Sequence, residues 1–200
     1  MMRRAALYIG AVLGGAALGI GSALAMAGLW PPGRAMAFGD VEVRGWRSDF
    51  AIGSKAADPY TRARVARHGL LALARTEAVY FTRAADDAGA PLSEDCVYRL
   101  SGGPMPAGWW SVTLYDGRSM LPDNTDDALS IDAERAGPGA WAVSIAPQRP
   151  SDGTPWISSR GAETFDLTLR LYMPSAGLLA DPDAVLVPPR VERIACEGAA

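Results

Sequence analysis

Few of the residue types that most often do chemistry occur in this 200-residue chain. His68 is the single histidine, and a Ser–His pair also needs an orienting third group and a serine held in a special turn. No Gly-x-Ser-x-Gly motif is present. His68 lies beside Arg67 and Gly69 on a predicted helix, so we interpret it as a surface or helix-packing residue. We therefore assign no catalytic residue.

Metal ligands and paired carboxylates are equally hard to assign. One histidine and two widely separated cysteines exclude the common zinc sites. The acidic segment from Asp123 to Asp127 lacks the glycine and the distal glutamate of an EF-hand calcium loop, and a solvated turn after Pro122 explains it better. No spacing singles out two carboxylates of the glycosidase kind. We predict neither a metal site nor a cofactor.

A set of aromatic and polar residues on three predicted strands is the best candidate for a binding surface. In each strand, alternate residues are apolar and are predicted to face a core. The residues between them are Tyr80, Thr82, Trp109, Thr113, Tyr115, Thr168, Arg170 and Tyr172. If the three strands are neighbours, these side chains form one aromatic surface with an embedded arginine. Such a surface suits a sugar, an acyl chain with a polar head or a protein partner.

The candidate binding residues are therefore Tyr80, Trp109, Tyr115, Arg170 and Tyr172. Two ordinary properties of β-proteins explain the same pattern without a ligand. Sheets favour threonine and tyrosine on any face, and the predicted helix Asp58–Ala74 would cover this face as a second layer. Asp58 fits the N-cap of that helix and Pro59 its first position.

A hydrophobic period of two dominates the chain from Val79 onward. Clusters of glycine, proline and aspartate separate the alternating runs, which predicts an antiparallel β-sandwich or barrel with one packed helix. The clearest runs are Val79–Thr82, Trp109–Tyr115, Trp141–Ile145 and Phe165–Met173.

The amino-terminal segment is predicted to be a membrane anchor. Ala5 to Gly33 contains no charged residue and follows Arg3 and Arg4, and such a run is long enough to cross a bilayer as a helix. The positive-inside rule then places the amino terminus in the cytoplasm and the rest in the periplasm, anchored to the inner membrane. A cleaved signal peptide is the alternative, although its apolar region is usually shorter, about 7–15 residues.

Three segments follow from this interpretation: an anchor over residues 1–33, a juxtamembrane connector over 34–57 and a β-domain over 58–200. Gly10 and Gly14 start a stripe of small residues in the anchor, which suggests a homodimer through the helix; an Ala/Gly-rich composition explains the stripe equally well. The net charge of −3 becomes −5 without Arg3 and Arg4. An acidic exterior domain argues against a nucleic-acid partner and against general adhesion to anionic lipid.

Four segments, in this order, resemble the family called domain of unknown function 1214: Asp58–Ala63, Glu77–Phe81, Trp109–Asp116 and Leu169–Pro174. The likeness extends from about Trp46 to Ile194 and is to the short, single-anchor envelope members. It implies a jelly-roll-like β-sandwich and no established activity. Two segments depart from the family pattern. Asp126–Ser130 replaces an Asn-Arg-Tyr-Ser-like stretch, and Pro155–Ser158 replaces Asn-Trp-Leu-Pro.

Cys96 and Cys196 are the only two cysteines. An exterior domain with two cysteines and no histidine partners for a metal favours a disulfide. The bridge would fasten a predicted last strand, Val191–Ala195, beside a predicted strand Val97–Leu100. Two independent buried thiols are the alternative.

Two functions remain open from the sequence. The first is a non-catalytic binding or structural module of the cell envelope, tethered to the membrane, with an unknown envelope ligand or protein partner. The second is an envelope hydrolase that acts on a glycan or ester through carboxylates. Two facing carboxylates in a deep pocket, or one with a strongly raised pKa, would favour the enzyme.

Overall fold

The structure is a computed structural model that describes residues 2–26, 41–55, 57–67 and 73–196. In these ranges the chain forms ten strands and five helices. The strands are β1 (Val41–Val43), β2 (Trp46–Ser48), β3 (Ala78–Arg83), β4 (Cys96–Gly102), β5 (Ala107–Asp116), β6 (Ser130–Asp132), β7 (Trp141–Ala146), β8 (Trp156–Ser158), β9 (Phe165–Pro174) and β10 (Arg190–Cys196). The helices are α1 (Met2–Met26), α2 (Pro59–Arg67), α3 (Ala133–Ala136), α4 (Ala176–Ala180) and α5 (Pro182–Val185).

Six strands form the larger sheet, sheet 1, in the order β1-β2-β3-β9-β5-β6. Every neighbouring pair in it is antiparallel. The long strand β9 lies between β3 and β5, which brings the three predicted strands of the candidate surface side by side. β1 and β2, which fall in the segment predicted to be a connector, form one edge of this sheet.

The other four strands form sheet 2, in the order β10-β4-β7-β8. β10–β4 and β4–β7 are antiparallel, whereas β7 and β8 are parallel. The fold is therefore mostly antiparallel, as predicted, with a parallel pairing between β7 and β8. The polar segment between β7 and β8 does not make a tight hairpin but brings the chain back along β7, so that β8 runs in the same direction.

The two sheets enclose one hydrophobic core. Trp110 of sheet 1 stacks on Trp141 of sheet 2 with ring centroids 4.8 Å apart, and Phe165 meets Tyr98 edge-on at 5.8 Å. The alternate residues of β9 from Phe165 to Leu171 are all buried in this core. Burying each large apolar side chain contributes about 1.5–3 kcal/mol. The predicted mostly-β sandwich is confirmed.

Helix α2 begins as predicted and ends earlier. The Asp58 carboxylate accepts hydrogen bonds from the backbone N–H groups of Tyr60 (2.7 Å) and Thr61 (3.1 Å), and Pro59 is the first helical residue. The helix is described to Arg67, and Ala74 is not helical, so the predicted extent to Ala74 is wrong. Residues 75–77 form a turn that leads into β3. His68 lies outside the described residues.

The predicted disulfide is present. Cys96 at the start of β4 and Cys196 at the end of β10 are directly opposite each other, with their Cα atoms 3.9 Å apart. Asp87 makes a second attachment of β10, because its carboxylate accepts hydrogen bonds from Arg190 Nε (3.0 Å) and the Val191 backbone N–H (3.1 Å). The last strand is therefore held at both ends.

Helix α1 contains a run, Leu7–Met26, that is apolar and long enough to cross a membrane. Its 20 residues correspond to about 30 Å of helix, the thickness of the hydrocarbon core. The side chains of this run lie outside the protein core. The run is compatible with a single-pass anchor, and a signal sequence would have the same properties.

Candidate functional site

The five candidate binding residues project from the face of sheet 1 opposite the core, which we call the outer face. Their positions follow from strand register. On β9, Arg170 lies between Tyr80 of β3 and Ser111 of β5, and Tyr172 lies beside Trp109 of β5. Because side chains alternate along a strand, these residues share one face, while neighbours such as Trp110, Leu114 and Leu171 lie in the core.

Arg170 is the centre of the polar contacts on the outer face. Its Nη1 donates a hydrogen bond to the Thr113 hydroxyl (2.9 Å), and its Nη2 donates one to the Tyr115 hydroxyl. The guanidinium carbon lies 5.4 Å from the centre of the Tyr115 ring, which adds a cation–π contact. The half-buried guanidinium is thus held in one orientation by neutral groups.

Trp109 and Tyr172 form the aromatic part of the outer face. Their ring centroids are 5.4 Å apart and the ring planes are tilted by 59°. Both side chains are half-buried, so each leaves part of its ring accessible. Such a pair offers apolar surface next to the hydrogen-bonding groups of Arg170 and Tyr115.

Tyr80 takes a different position from the other four. It is only 4% exposed, so its ring packs against its neighbours and offers little surface for stacking. Burial raises the pKa of its phenol, and the nearby Tyr172 raises it further, although Arg170 and a hydrogen bond with the Leu73 backbone lower it. Tyr80 therefore stays neutral and supports Arg170 and Tyr172 from β3.

Asp166 belongs to the same face, and sequence reasoning missed it. It lies on β9 directly opposite Tyr115. Burial, together with the charge of Asp116, raises the pKa of the Asp166 carboxyl to about 7, although a hydrogen bond with Thr168 opposes the change. The signal was available in the sequence, because Asp166 has the same parity in β9 as Thr168 and Arg170.

Asp116 is the carboxylate next to Asp166, and it differs from Asp166 in the face that it occupies, in its hydrogen bonds and in the direction of its pKa shift. Its register partner is Phe165, a core residue, so it does not share the outer face. Its oxygens accept hydrogen bonds from the backbone N–H groups of Arg118 (2.9 Å) and Met120 (2.8 Å) and from Arg118 Nε (3.0 Å). Burial alone would raise its pKa, but these hydrogen bonds hold the pKa below the usual value. Asp116 fastens a turn and does not complete a catalytic pair.

A second polar cluster joins the two segments that depart from the family pattern. The Asp126 carboxylate accepts hydrogen bonds from the Ser158 hydroxyl (2.6 Å) and Arg160 Nε (2.9 Å). These hydrogen bonds lower the pKa of Asp126, and the one from Arg160 has the larger effect on it. The predicted solvated turn is thus tied to β8. Across the part of the chain that the structure describes, no group of three or more His, Cys, Asp and Glu residues is placed to hold a metal ion.

Comparison with a solved structure supports the fold. The chain aligns with the VPA0106 protein from Vibrio parahaemolyticus with a TM-score of 0.54 and 16% identity, over 68% of this chain. It also aligns with an uncharacterised protein from Burkholderia cenocepacia with a TM-score of 0.48 and 18% identity, over 76% of this chain. The alignments cover 35% of each solved chain, so this chain spans about a third of their length. No curated protein matches the chain.

The family model described as protein of unknown function (DUF1214) matches residues 77–176. The match begins just before β3 and ends just after β9. It includes four neighbouring strands of sheet 1, namely β3, β9, β5 and β6. It therefore covers half of the chain and the region that carries the candidate residues. The chain belongs to the DUF1214 family.

Proposed function

We propose that the chain is a membrane-anchored, non-catalytic module of the cell envelope that binds a saccharide on the outer face of sheet 1. The observation that carries the proposal is the combination on one face of accessible aromatic rings with oriented hydrogen-bonding groups. Trp109 and Tyr172 supply the rings, and Arg170, Thr113 and Tyr115 supply the polar groups.

A saccharide fits this combination better than a purely apolar ligand does. Sugar rings present C–H groups on their faces, which pack on aromatic rings, and hydroxyl groups at their edges, which need hydrogen-bonding partners. The outer face provides both kinds of contact within two adjacent strands, β5 and β9. An acyl chain would cover Arg170 and leave its remaining N–H donors without partners, which is costly.

Asp166 is the observation that favours the second candidate, an envelope hydrolase. A carboxyl with its pKa raised to about 7 has the property of a general acid at neutral pH. A glycosidase needs a second carboxylate across the scissile bond, and the adjacent Asp116 is committed to its turn. Binding without hydrolysis therefore accounts better for the geometry, and incubation with oligosaccharides should leave them intact.

Two observations support placement outside the cytoplasm. The run Leu7–Met26 has the length of a membrane span, and Arg3 and Arg4 precede it, which favours an amino terminus inside. The disulfide between Cys96 and Cys196 belongs to an oxidising compartment. In this arrangement a helix ties the module to the inner membrane, and the β-sandwich lies in the periplasm.

A reporter that is active only in the periplasm, fused after Ala200, should be active in cells. The fusion should also stay in the membrane fraction after an alkaline wash, because α1 is retained as an anchor. A matched fusion to a reporter that needs the cytoplasm should be inactive. Activity of the cytoplasmic reporter alone would contradict the topology, and release of the product into the soluble fraction would show cleavage.

Replacing Trp109 or Tyr172 with alanine should weaken saccharide binding about fivefold or more, since a central aromatic contact is commonly worth more than about 1 kcal/mol. Binding is measured by calorimetry on the full chain in detergent, with a panel of neutral and acidic tetrasaccharides. Ile194→Ala is the control, because Ile194 is 57% exposed and lies on β10 of sheet 2. Absence of binding to every member of the panel would refute the proposed function.

A further inference from the structure

Arg170 makes no ion pair with a carboxylate, unlike six other arginines of the described residues. Six ion pairs join arginine and a carboxylate within the described ranges, and none of them includes Arg170. The arginines of those pairs are Arg47, Arg83, Arg118, Arg160, Arg190 and Arg193. Arg170 is instead held by two hydroxyl groups, which fix its orientation and leave its charge unbalanced.

The guanidinium of Arg170 retains capacity to bind a ligand. An arginine side chain has five N–H donors in a planar fork, and the contacts to Thr113 and Tyr115 use two of them. The remaining donors match the two oxygens of a carboxylate. Because the side chain is already oriented, little conformational entropy is lost when an anion binds.

Other charged groups on the outer face do not neutralise Arg170. The carboxylate of Glu42, at the edge of sheet 1, is already paired with Arg47 at 2.9 Å. Asp132 of β6 caps helix α3, with its carboxylate accepting hydrogen bonds from the backbone of Glu134 and Arg135. Burial and the charge of Asp116 hold the pKa of Asp166 at about 7, so below that pH Asp166 is largely uncharged.

We propose that the ligand of the outer face is an acidic oligosaccharide, and that a uronic acid carboxylate binds Arg170 while another sugar unit of the same oligosaccharide packs against Tyr172 and Trp109. This inference rests on the proposed function. The guanidinium of Arg170 lies beside Thr113 and Tyr115, whereas Trp109 lies four residues before Thr113 on β5. Four residues correspond to about 14 Å along a strand, so the carboxylate and the packed ring belong to different sugar units of one oligosaccharide. A single cation suits a carboxylate, whereas phosphate sites usually gather several donors with more positive charge.

The test compares two probes with the same sugar backbone, one with charged carboxylates and one without. One is a tetramer of galacturonic acid, and the other is the same tetramer with every carboxylate methyl-esterified. Calorimetry at pH 6 on the full chain in detergent should give at least tenfold tighter binding of the free acid. Arg170→Gln should remove that preference, so that the acid and the ester bind with similar affinity, and Arg170→Lys should restore part of the preference.

Arg99→Gln is the matched control, because Arg99 is an exposed arginine on β4 of sheet 2; it should keep the full preference. Thermal unfolding verifies that each Arg170 variant is folded. Equal binding of the acid and the ester by the unchanged protein would overturn this inference and leave the proposed function standing. Binding of neither tetramer, while neutral saccharides of the panel bind, would overturn it as well. Failure of the whole panel would refute both.

Discussion

Replacing Cys96 and Cys196 together by serine is expected to lower the free energy of unfolding by about 4–5 kcal/mol in the chain-entropy model of disulfide stabilisation. The reason is the length of the loop that the bond closes, since the two cysteines are 100 residues apart in sequence. In the unfolded chain without the bond, the two ends of this loop separate freely, and folding must bring them back together.

The measurement is guanidinium-induced unfolding of the full chain in detergent, followed by tryptophan fluorescence. Trp46, Trp110 and Trp141 are buried, so their emission reports the core. Reducing the unchanged protein should reproduce the loss, whereas the double serine variant should not respond to reductant. If the variant unfolds at the same denaturant concentration as the oxidised protein, the bond does not stabilise the fold. The Asp87 attachment of β10 would then be sufficient.

Asp166→Asn is expected to stabilise the protein at pH 8 and to have little effect near pH 4. The pKa of Asp166 is raised from 3.8 to about 7 in the folded protein. Between these values the folded state retains a proton that the unfolded state has released, so the free energy of unfolding falls as the pH rises. Above about pH 7 the full penalty applies, and at about 1.36 kcal/mol per pKa unit it reaches up to about 4 kcal/mol.

Denaturant unfolding of both proteins between pH 4 and pH 8 tests this expectation. The difference in stability should grow with pH and level off above pH 7, because asparagine does not titrate. The groups around Asp166 are Asp116, Tyr115 and Thr168, and all of them stay in place in the variant. Asp123→Asn is the control, since Asp123 is an exposed residue of the loop between β5 and β6. A difference that does not change with pH would show that Asp166 is already ionised in the folded protein.

Local patterns were enough to predict much of the fold. The alternation along Phe165–Met173 identified β9, and Asp58 with Pro59 identified the start of α2, because both signals depend only on residues close in sequence. The outer face followed from the same alternation, once β3, β9 and β5 proved to be neighbours.

Long-range packing explains what the sequence did not reveal. The parallel pairing of β8 with β7 depends on how the chain returns after the turn, which no residue pattern specifies. The burial of Tyr80 and the raised pKa of Asp166 depend on side chains from other strands. The role of Asp126 likewise needed Arg160 from a segment 34 residues away.

The position of β9 determines when the outer face can exist during synthesis. β3 and β5 are made first, but they do not pair with each other, because β9 fills the space between them. Until Phe165–Pro174 has been made, both earlier strands have an unpaired edge, the kind of edge that attracts other chains. Trp109 and Tyr115 therefore acquire Arg170 and Tyr172 as neighbours only after β9 has been translated, so the outer face forms late although β3 and β5 are made early.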